Sequence, residues 1–224
     1  TGNETSEVWS VSTGEGGTFA CETLPAGAVS VQATLAPYET VTLPLVMLPS
    51  PQPVSITLQR MAAVTGLLLG PDKKPLASAS IRLAGSGIWP ARATLSDARG
   101  AFEFSTIPAG VYEVSAARGE LVSAPFEGVS VEPGEEVKIE LSLGPGRVLK
   151  GGVREAASGR ALAGAQIRVA EDALTPTAQE TQSGLDGSFE LRGLRWIEQR
   201  VHVELAGYVA IETMWGPADP PLQI

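Results

Sequence analysis

The chain has 224 residues, among them 25 glycines, 17 prolines and one cysteine, and its formal net charge is −9. The acidic balance argues against binding to nucleic acid through clustered basic side chains, and the lone cysteine excludes an intramolecular disulfide. No apolar run reaches the length of about 18 residues that spans a bilayer. No helical period persists for three turns without Gly or Pro, so the sequence predicts short strands and turns with almost no helix.

A glycine followed two residues later by phenylalanine, and five residues after that by Leu or Ile, occurs three times. The three sets are Gly17, Phe19, Leu24, then Gly100, Phe102, Ile107, then Gly187, Phe189, Leu194. The glycines are 83 and 87 residues apart. A period of this length predicts tandem copies of one small domain.

The first copy contains only the back half of the repeated pattern. Trp9 is predicted to lie on a strand, and a closing strand is predicted to begin at Val54. Cys21 occupies a core position of the pattern and has no His or Asp partner nearby. We therefore expect a buried free thiol that acts as a small apolar side chain, and not a nucleophile.

The second copy is complete. Strands are predicted at 64–69 and 76–83, followed by a loop at 85–90 that is rich in Gly and Ser. The segment 97–100 ends in glycine and is typical of a hairpin turn. A closing strand is predicted from Val137.

The third copy repeats the second at an offset of 86 residues, which maps Gly66 to Gly152 and Ala79 to Ala165. In the first two copies the closing strand is predicted to begin 37 residues after the turn glycine, and the same spacing from Gly187 places the closing strand of the third copy at Ile224. We therefore expect the chain to be a segment of a longer array, with its first and last modules truncated.

These observations predict an all-β protein of tandem antiparallel Greek-key β-sandwich modules. The predicted modules are 1–59, the back half of a sandwich, 60–144, a complete sandwich, and 145–224, a sandwich that lacks most of its last strand. Short linkers between them predict a semi-rigid array rather than freely jointed domains.

The motifs resemble those of the carboxypeptidase regulatory-like domain, a transthyretin-like (prealbumin-like) β-sandwich found in exported bacterial proteins. The matching segments of the second copy are 75–81 for P-L-x-G-A-x-V, 96–102 for T-D-x-x-G-x-F and 107–114 for L-P-x-G-x-Y-x-V. The third copy departs from the pattern at 195–199, where the Pro-x-Gly turn is lost. The resemblance covers nearly the whole chain. It implies a non-catalytic module in an extracellular, periplasmic or cell-surface location of a bacterium.

The residues argue against an enzyme, a metal site and a cofactor. A zinc peptidase needs several ligands around one metal, whereas His202 is the only histidine and is expected at the surface. Asp97 and Asp186 lie in predicted hairpin turns, where turn chemistry is the default interpretation and a bound calcium ion the alternative. The sequon at Asn3 is interpreted as a chance match.

Two tryptophans are the candidate site residues for a glycan or a cell-surface protein. Trp89 lies in the predicted loop 85–90, and Trp196 lies where the third copy loses its turn. Neither position recurs in the other copies, and exposed aromatic rings stack on sugars or anchor protein partners. The alternative is that each ring covers the end of a sandwich. Trp215, by contrast, is predicted to lie in a core.

The leading hypothesis is a structural or display stalk in a bacterial cell-envelope or secreted protein, with flanking modules of the same chain as its neighbours. The alternative is a carbohydrate-binding or surface-partner-binding module that uses the loop aromatics. An enzyme would require residues outside this segment.

Overall fold

The computed structural model of the chain describes residues 8–50, 52–169 and 179–224. It divides into two compact units, Thr1–Leu58 and Gln59–Ile224. The predicted all-β class is confirmed, since the helical structure in the described ranges is one 3-10 turn, Glu15–Gly17. None of the described helical structure has the length and apolar character of a membrane span. The sequon at Asn3 lies outside the described residues.

Where the structure describes the first unit, the strands form one antiparallel hairpin, β1 (Gly27–Ala33) and β2 (Val41–Leu48). Alternate residues of both strands are half-buried, as expected for a sheet with one apolar face. In the part of this unit that the structure describes, no residue is fully buried.

Three predictions for the first unit are wrong. Trp9 and Val54 do not lie on strands, and Cys21 is exposed. The common reason is pairing: among the described residues, β1 and β2 pair only with each other. The remaining segments therefore join no sheet that would bury one side of them.

The described residues of the second unit form fifteen strands, which we divide into sandwich A and sandwich B by the core that each surrounds. Sandwich A consists of β3 (Ala62–Leu69), β4 (Ser80–Gly85), β5 (Ile88–Leu95), β6 (Ala101–Ile107), β7 (Gly110–Arg118), β8 (Leu121–Ser123), β9 (Phe126–Val131) and β10 (Glu136–Pro145). Sandwich B consists of β11 (Arg147–Gly152), β12 (Gln166–Val169), β13 (Gln179–Gln182), β14 (Ser188–Leu194), β15 (Gln199–Glu204), β16 (Ile211–Trp215) and β17 (Leu222–Gln223).

The strand β10 joins the two layers of sandwich A. Its first part pairs in parallel with β3, and its end pairs antiparallel with β8. One layer therefore contains β6, β3 and β10, and the other contains β5, β4, β7 and β9. The core between them includes Val64, Leu83, Phe104 and Tyr112, each at most 2% exposed. Tyr112 also donates a 2.7 Å hydrogen bond from its hydroxyl to the Pro108 carbonyl, which ties the start of β7 to the preceding turn.

Sandwich B repeats this plan with a sheet of β14, β11 and β17 and a sheet of β13, β12, β15 and β16. The strand β17 pairs in parallel with β11, as β10 does with β3. Trp215 is 5% exposed and belongs to the core, as the sequence predicts.

A glycine on the first strand of each sandwich lies beneath a phenylalanine of the repeated motif. Gly66 pairs with Phe102, and Gly151 pairs with Phe189. A Cβ atom on either glycine would lie under 3.0 Å from the phenylalanine ring and from a neighbouring carbonyl. The counterpart of Gly66 is therefore Gly151 and not Gly152, so the offset of 86 residues is wrong by one on this strand.

A buried serine before the hairpin turn recurs in both sandwiches. Ser96 Oγ accepts a hydrogen bond from the Ala79 amide at 3.0 Å and donates to the Leu76 carbonyl at 2.7 Å. Ser183 makes the same pair of bonds to Ala165 and Leu162, at 2.9 Å and 2.7 Å. In each sandwich the serine hydroxyl therefore provides a hydrogen-bond partner for one backbone amide and one backbone carbonyl.

Candidate functional site

Trp89 is exposed, with 78% of its surface accessible. It lies on β5 and not in a loop, because Ile88 already pairs with Gly85 and leaves a turn of only two residues. The predicted loop at 85–90 is thus shorter than the sequence suggests. The ring is available to a ligand or a partner.

Trp196 lies in the connection between β14 and β15 and is 52% exposed. Its Nε1 donates a 3.2 Å hydrogen bond to the carbonyl of Pro145, the last residue of β10. The side chain therefore braces the point where the chain leaves sandwich A and enters sandwich B. In the described part of the chain the aromatic ring contact is between Phe102 and Phe104, so the two tryptophans do not stack on each other.

A junction between sandwich A and sandwich B surrounds Trp196. The neighbouring Arg195 has a side chain only 9% exposed, and its Nη2 lies 2.9 Å from Glu113 Oε1 of β7. The Gly146 amide donates a 2.8 Å hydrogen bond to the Glu120 carbonyl. Sandwich A and sandwich B are thus connected by an ion pair, a backbone hydrogen bond and the hydrogen bond of the Trp196 side chain.

Two glycines bring the backbones of the junction into close approach. A Cβ atom on Gly146 would lie 2.6 Å from the Gly193 Cα atom, and one on Gly193 would lie 3.0 Å from the Glu120 Cα atom. Gly193 also has a φ of 74°, a conformation that favours glycine. The contact therefore requires residues without side chains at both positions.

Arg147 anchors the first strand of sandwich B beside the junction. Its guanidinium lies 3.6 Å from the centroid of the Trp215 ring and donates to the carbonyls of Ile197, at 3.2 Å, and Gly216. Burial lowers the pKa of this guanidinium, and the carboxylate of Asp219 acts in the opposite direction. The cation thus holds the β14–β15 connection and the end of β16 against β11.

The residue pattern alone gives no indication of a role for Glu113, Arg147 or Arg195. One available signal was the loss of the Pro-x-Gly turn at 195–199. At that departure, Arg195 and Trp196 contact residues of sandwich A. The residue pattern of one copy does not reveal a contact with another copy.

The candidate residues His202 and Asp97 contact nearby groups of their own sandwich. His202 is half-buried between the carboxylates of Glu204, at 3.3 Å, and Glu212, at 3.6 Å. Asp97 Oδ1 accepts the amides of Arg99 and Ala101, both at 2.8 Å, which is turn chemistry.

Asp186 caps the corresponding turn of sandwich B. Its Oδ1 accepts bonds from the Ser188 hydroxyl at 2.6 Å and from the Ser188 amide at 3.0 Å. The hydroxyl bond first, and then the amide bond, lower the pKa of this carboxyl. Within the described ranges, no three His, Cys, Asp or Glu side chains cluster in a way that could hold a metal ion.

The family model of the carboxypeptidase regulatory-like domain matches residues 63–144. That range corresponds to sandwich A and contains the Ser96, Gly100 and Tyr112 positions described above. The family resemblance found in the sequence is confirmed for this part of the chain.

No curated protein sequence matches the chain. Among solved structures, a streptococcal ancillary pilin is 14% identical, with a TM-score of 0.35 over 90% of this chain and 75% of the pilin. A minor pilin of Streptococcus agalactiae is 10% identical, with a TM-score of 0.40 over 73% of this chain and 94% of the pilin. The shaft pilin SpaA of Lactobacillus rhamnosus GG is 13% identical, with a TM-score of 0.30 over 73% and 96%. Similarity at this level is no basis for assigning function.

Proposed function

We propose, from the premise that residues 63–144 are a carboxypeptidase regulatory-like domain, that the chain is a non-catalytic structural stalk in a bacterial cell-envelope or secreted protein. The three predicted modules, 1–59, 60–144 and 145–224, are the repeating elements of that stalk. Its role is to hold neighbouring modules of the same chain at a set spacing for display at the cell surface.

The junction between sandwich A and sandwich B carries this proposal. A spacer with a set geometry needs contacts that resist bending, and a flexible linker offers none. Here Gly146, between β10 and β11, lies so close to the backbone of Gly193 that it has no room for a side chain. Arg195 is largely buried beside the carboxylate of Glu113. Removal of Glu113 would take its carboxylate away from a largely buried guanidinium, which is costly. These contacts support a junction that holds one angle.

We expect a narrow distance distribution between spin labels placed on the two sandwiches. Suitable sites are the exposed hairpin positions Arg99 and Leu185, each changed to Cys in a Cys21→Ser background. Double electron–electron resonance would measure the distribution. Arg195→Ala should broaden it, because the desolvated contact with Glu113 is lost.

Arg192→Ala is the matched control for Arg195→Ala. Arg192 lies on β14 only three positions earlier, is 54% exposed and pairs with Glu190 inside sandwich B. Its loss should leave the distribution unchanged. A broad distribution in the parent chain, or equal effects of the two arginine variants, would contradict the rigid stalk.

The exposure of Trp89 favours a second candidate function, a binding module for a carbohydrate or a surface partner. A ring that is 78% exposed on a strand brings no stability through burial. It offers a flat apolar face of the kind that stacks on sugar rings.

We expect affinity electrophoresis in gels containing bacterial or plant polysaccharides to distinguish the two functions. For a binding module, one polymer should retard the chain, and Trp89→Ala should weaken the interaction roughly tenfold through loss of ring contact. Trp9→Ala, which also removes an exposed tryptophan, should have no effect. Unretarded migration in every gel would leave the stalk as the function of this segment.

A further inference from the structure

A groove of about 720 Å³ lies on the outer face of the sheet that β6, β3 and β10 form in sandwich A. It is lined by Thr65 and Leu67 of β3 and by Ala101 of β6, which belong to the face opposite the core. Leu95 at the end of β5, 65% exposed, lines it as well. The three strands pair along their length, so the groove is a depression on a continuous sheet and not a gap between strands.

The charged side chains of the groove are mostly acidic. They are the carboxylates of Asp97, Glu103, Glu136 and Glu140 and the ammonium group of Lys138. Lys138 lies 3.8 Å from Glu136, which also accepts a 3.0 Å hydrogen bond from the Thr65 hydroxyl. Within the described ranges, Glu103 and Glu140 form no ion pair. The groove therefore has an excess of negative charge that its own side chains do not neutralise.

The equivalent face of sandwich B holds cations around the matching carboxylate. Glu190 follows the motif phenylalanine as Glu103 does, and it pairs across the strands with Lys150, where Glu103 pairs with Thr65. Lys150 Nζ lies 3.2 Å from Glu190 Oε2, and the Arg192 guanidinium contacts Oε1. The bond from Lys150 is the largest of the effects that lower the pKa of the Glu190 carboxyl. This position of the fold thus binds two cationic groups in sandwich B.

Sandwich A has neither of these two cations. Its residues at the positions of Lys150 and Arg192 are the uncharged Thr65 and Ser105. A cation that neutralises Glu103 as Lys150 neutralises Glu190 therefore has to come from a binding partner.

The spacing of the two unpaired carboxylates fits an extended polypeptide. Glu103 and Glu140 are separated by two strands and two residues, so their Cα atoms are on the order of 12 Å apart. An extended chain covers that distance in about four residues. Leu67 lies on the strand between them, where it can contact an apolar side chain.

We propose that this groove binds an extended basic segment of a second polypeptide. Two Lys or Arg side chains of the segment, separated by three uncharged residues, pair with Glu103 and Glu140, and an apolar residue between them lies over Leu67. Sandwich A thereby acts as a polypeptide-binding module, a role beyond that of a stalk and at a site other than Trp89.

The test uses the intact chain and a fluorescent pentapeptide, Lys-Thr-Leu-Thr-Lys, at low ionic strength. Fluorescence anisotropy should show saturable binding. The isomer Thr-Leu-Thr-Lys-Lys has the same composition and charge, but its cations are adjacent and cannot reach both carboxylates. It should bind roughly fivefold more weakly, the effect of losing an exposed ion pair. No saturable binding of the first peptide, or equal binding of the two, overturns the proposal.

Two doubly substituted chains of equal net charge locate the site. Glu103→Gln with Glu140→Gln should weaken binding of the first peptide at least about fivefold, because both partner carboxylates are lost. Glu22→Gln with Glu127→Gln removes two exposed carboxylates outside the groove and should leave binding unchanged. Equal effects of the two pairs would mean that the peptide responds to overall charge, which contradicts a site in the groove.

Copying the cations of sandwich B into sandwich A tests the same site while every carboxylate is kept. Thr65→Lys with Ser105→Arg supplies the two groups that surround Glu190 in sandwich B, so binding should be lost. Thr18→Lys with Ser130→Arg adds the same charge at exposed positions outside the groove and should retain binding. Binding that survives the first pair of substitutions rejects the groove as the site.

Competition with spermidine distinguishes a polypeptide site from one for any polyamine. Spermidine has cations but no apolar side chain, so an equimolar amount should displace little of the peptide. Complete displacement would assign the groove to polyamines and overturn the proposed occupant. Trp89→Ala should retain peptide binding, and none of the substitutions removes a junction contact. The peptide site, the glycan site and the stalk can therefore fail independently.

Discussion

Gly66→Ala is expected to destabilise sandwich A by roughly 3 kcal/mol, the upper part of the range for overpacking a close-packed interior. The added methyl group would lie within 3.0 Å of both the Phe102 ring and the Ile139 carbonyl. The ring cannot move away freely, because Phe102 is 5% exposed and packs edge-on against Phe104. The carbonyl belongs to the ladder between β3 and β10, so its displacement would disturb the parallel pairing as well.

Thermal unfolding followed by calorimetry measures the effect. For a domain of this size, a loss of about 3 kcal/mol lowers the midpoint by on the order of 10–20 °C. Gly144→Ala is the matched control, since a Cβ atom there meets nothing within 4 Å, and its effect should stay within about 0.5 kcal/mol. Equal midpoints for the two variants would show that the close approach at Gly66 does not constrain the fold.

Ser96→Ala is expected to cost about 1–3 kcal/mol, the penalty for leaving buried polar groups unpaired. The hydroxyl is the partner of the Ala79 amide and the Leu76 carbonyl, and Ser96 is 4% exposed. Water therefore has little access to replace the lost bonds. Denaturation by urea should show a lower midpoint with an unchanged slope.

Ser183→Ala tests the same motif in sandwich B and should cost a similar amount, because both hydrogen bonds recur there. Ser105→Ala removes an exposed hydroxyl from β6 and serves as the control. If Ser96→Ala and Ser105→Ala have equal midpoints, the buried serine does not stabilise the strand connection.

The local pattern of the chain was sufficient to predict much of the second unit. The hairpin glycines, the motif phenylalanines and the buried position of Trp215 follow from turn chemistry and strand alternation, which depend on residues close in sequence. The match of residues 63–144 to the model of the carboxypeptidase regulatory-like domain follows from the same motifs. The parallel pairing of β3 with β10 could not be predicted from the local pattern, because it joins segments that are far apart along the chain.

The first unit shows where local pattern misleads. The sequence around Cys21 and Val54 repeats that of buried strands in sandwich A, yet neither residue lies on a strand. A strand is stable only when a neighbour accepts its hydrogen bonds and a second layer covers its apolar face. That requirement is tertiary, and the repeated pattern alone does not contain it.

The sequence by itself determined the repeated motif, the all-β class and the turn and core positions of the second unit, because these reflect short-range periodicity and backbone preference. Only the tertiary structure decided that Arg195 meets Glu113, that Trp196 braces the end of β10, and that Trp89 stands exposed on a strand. Contacts between sandwiches depend on how two folded surfaces pack against each other, and the local sequence of either surface does not specify that packing.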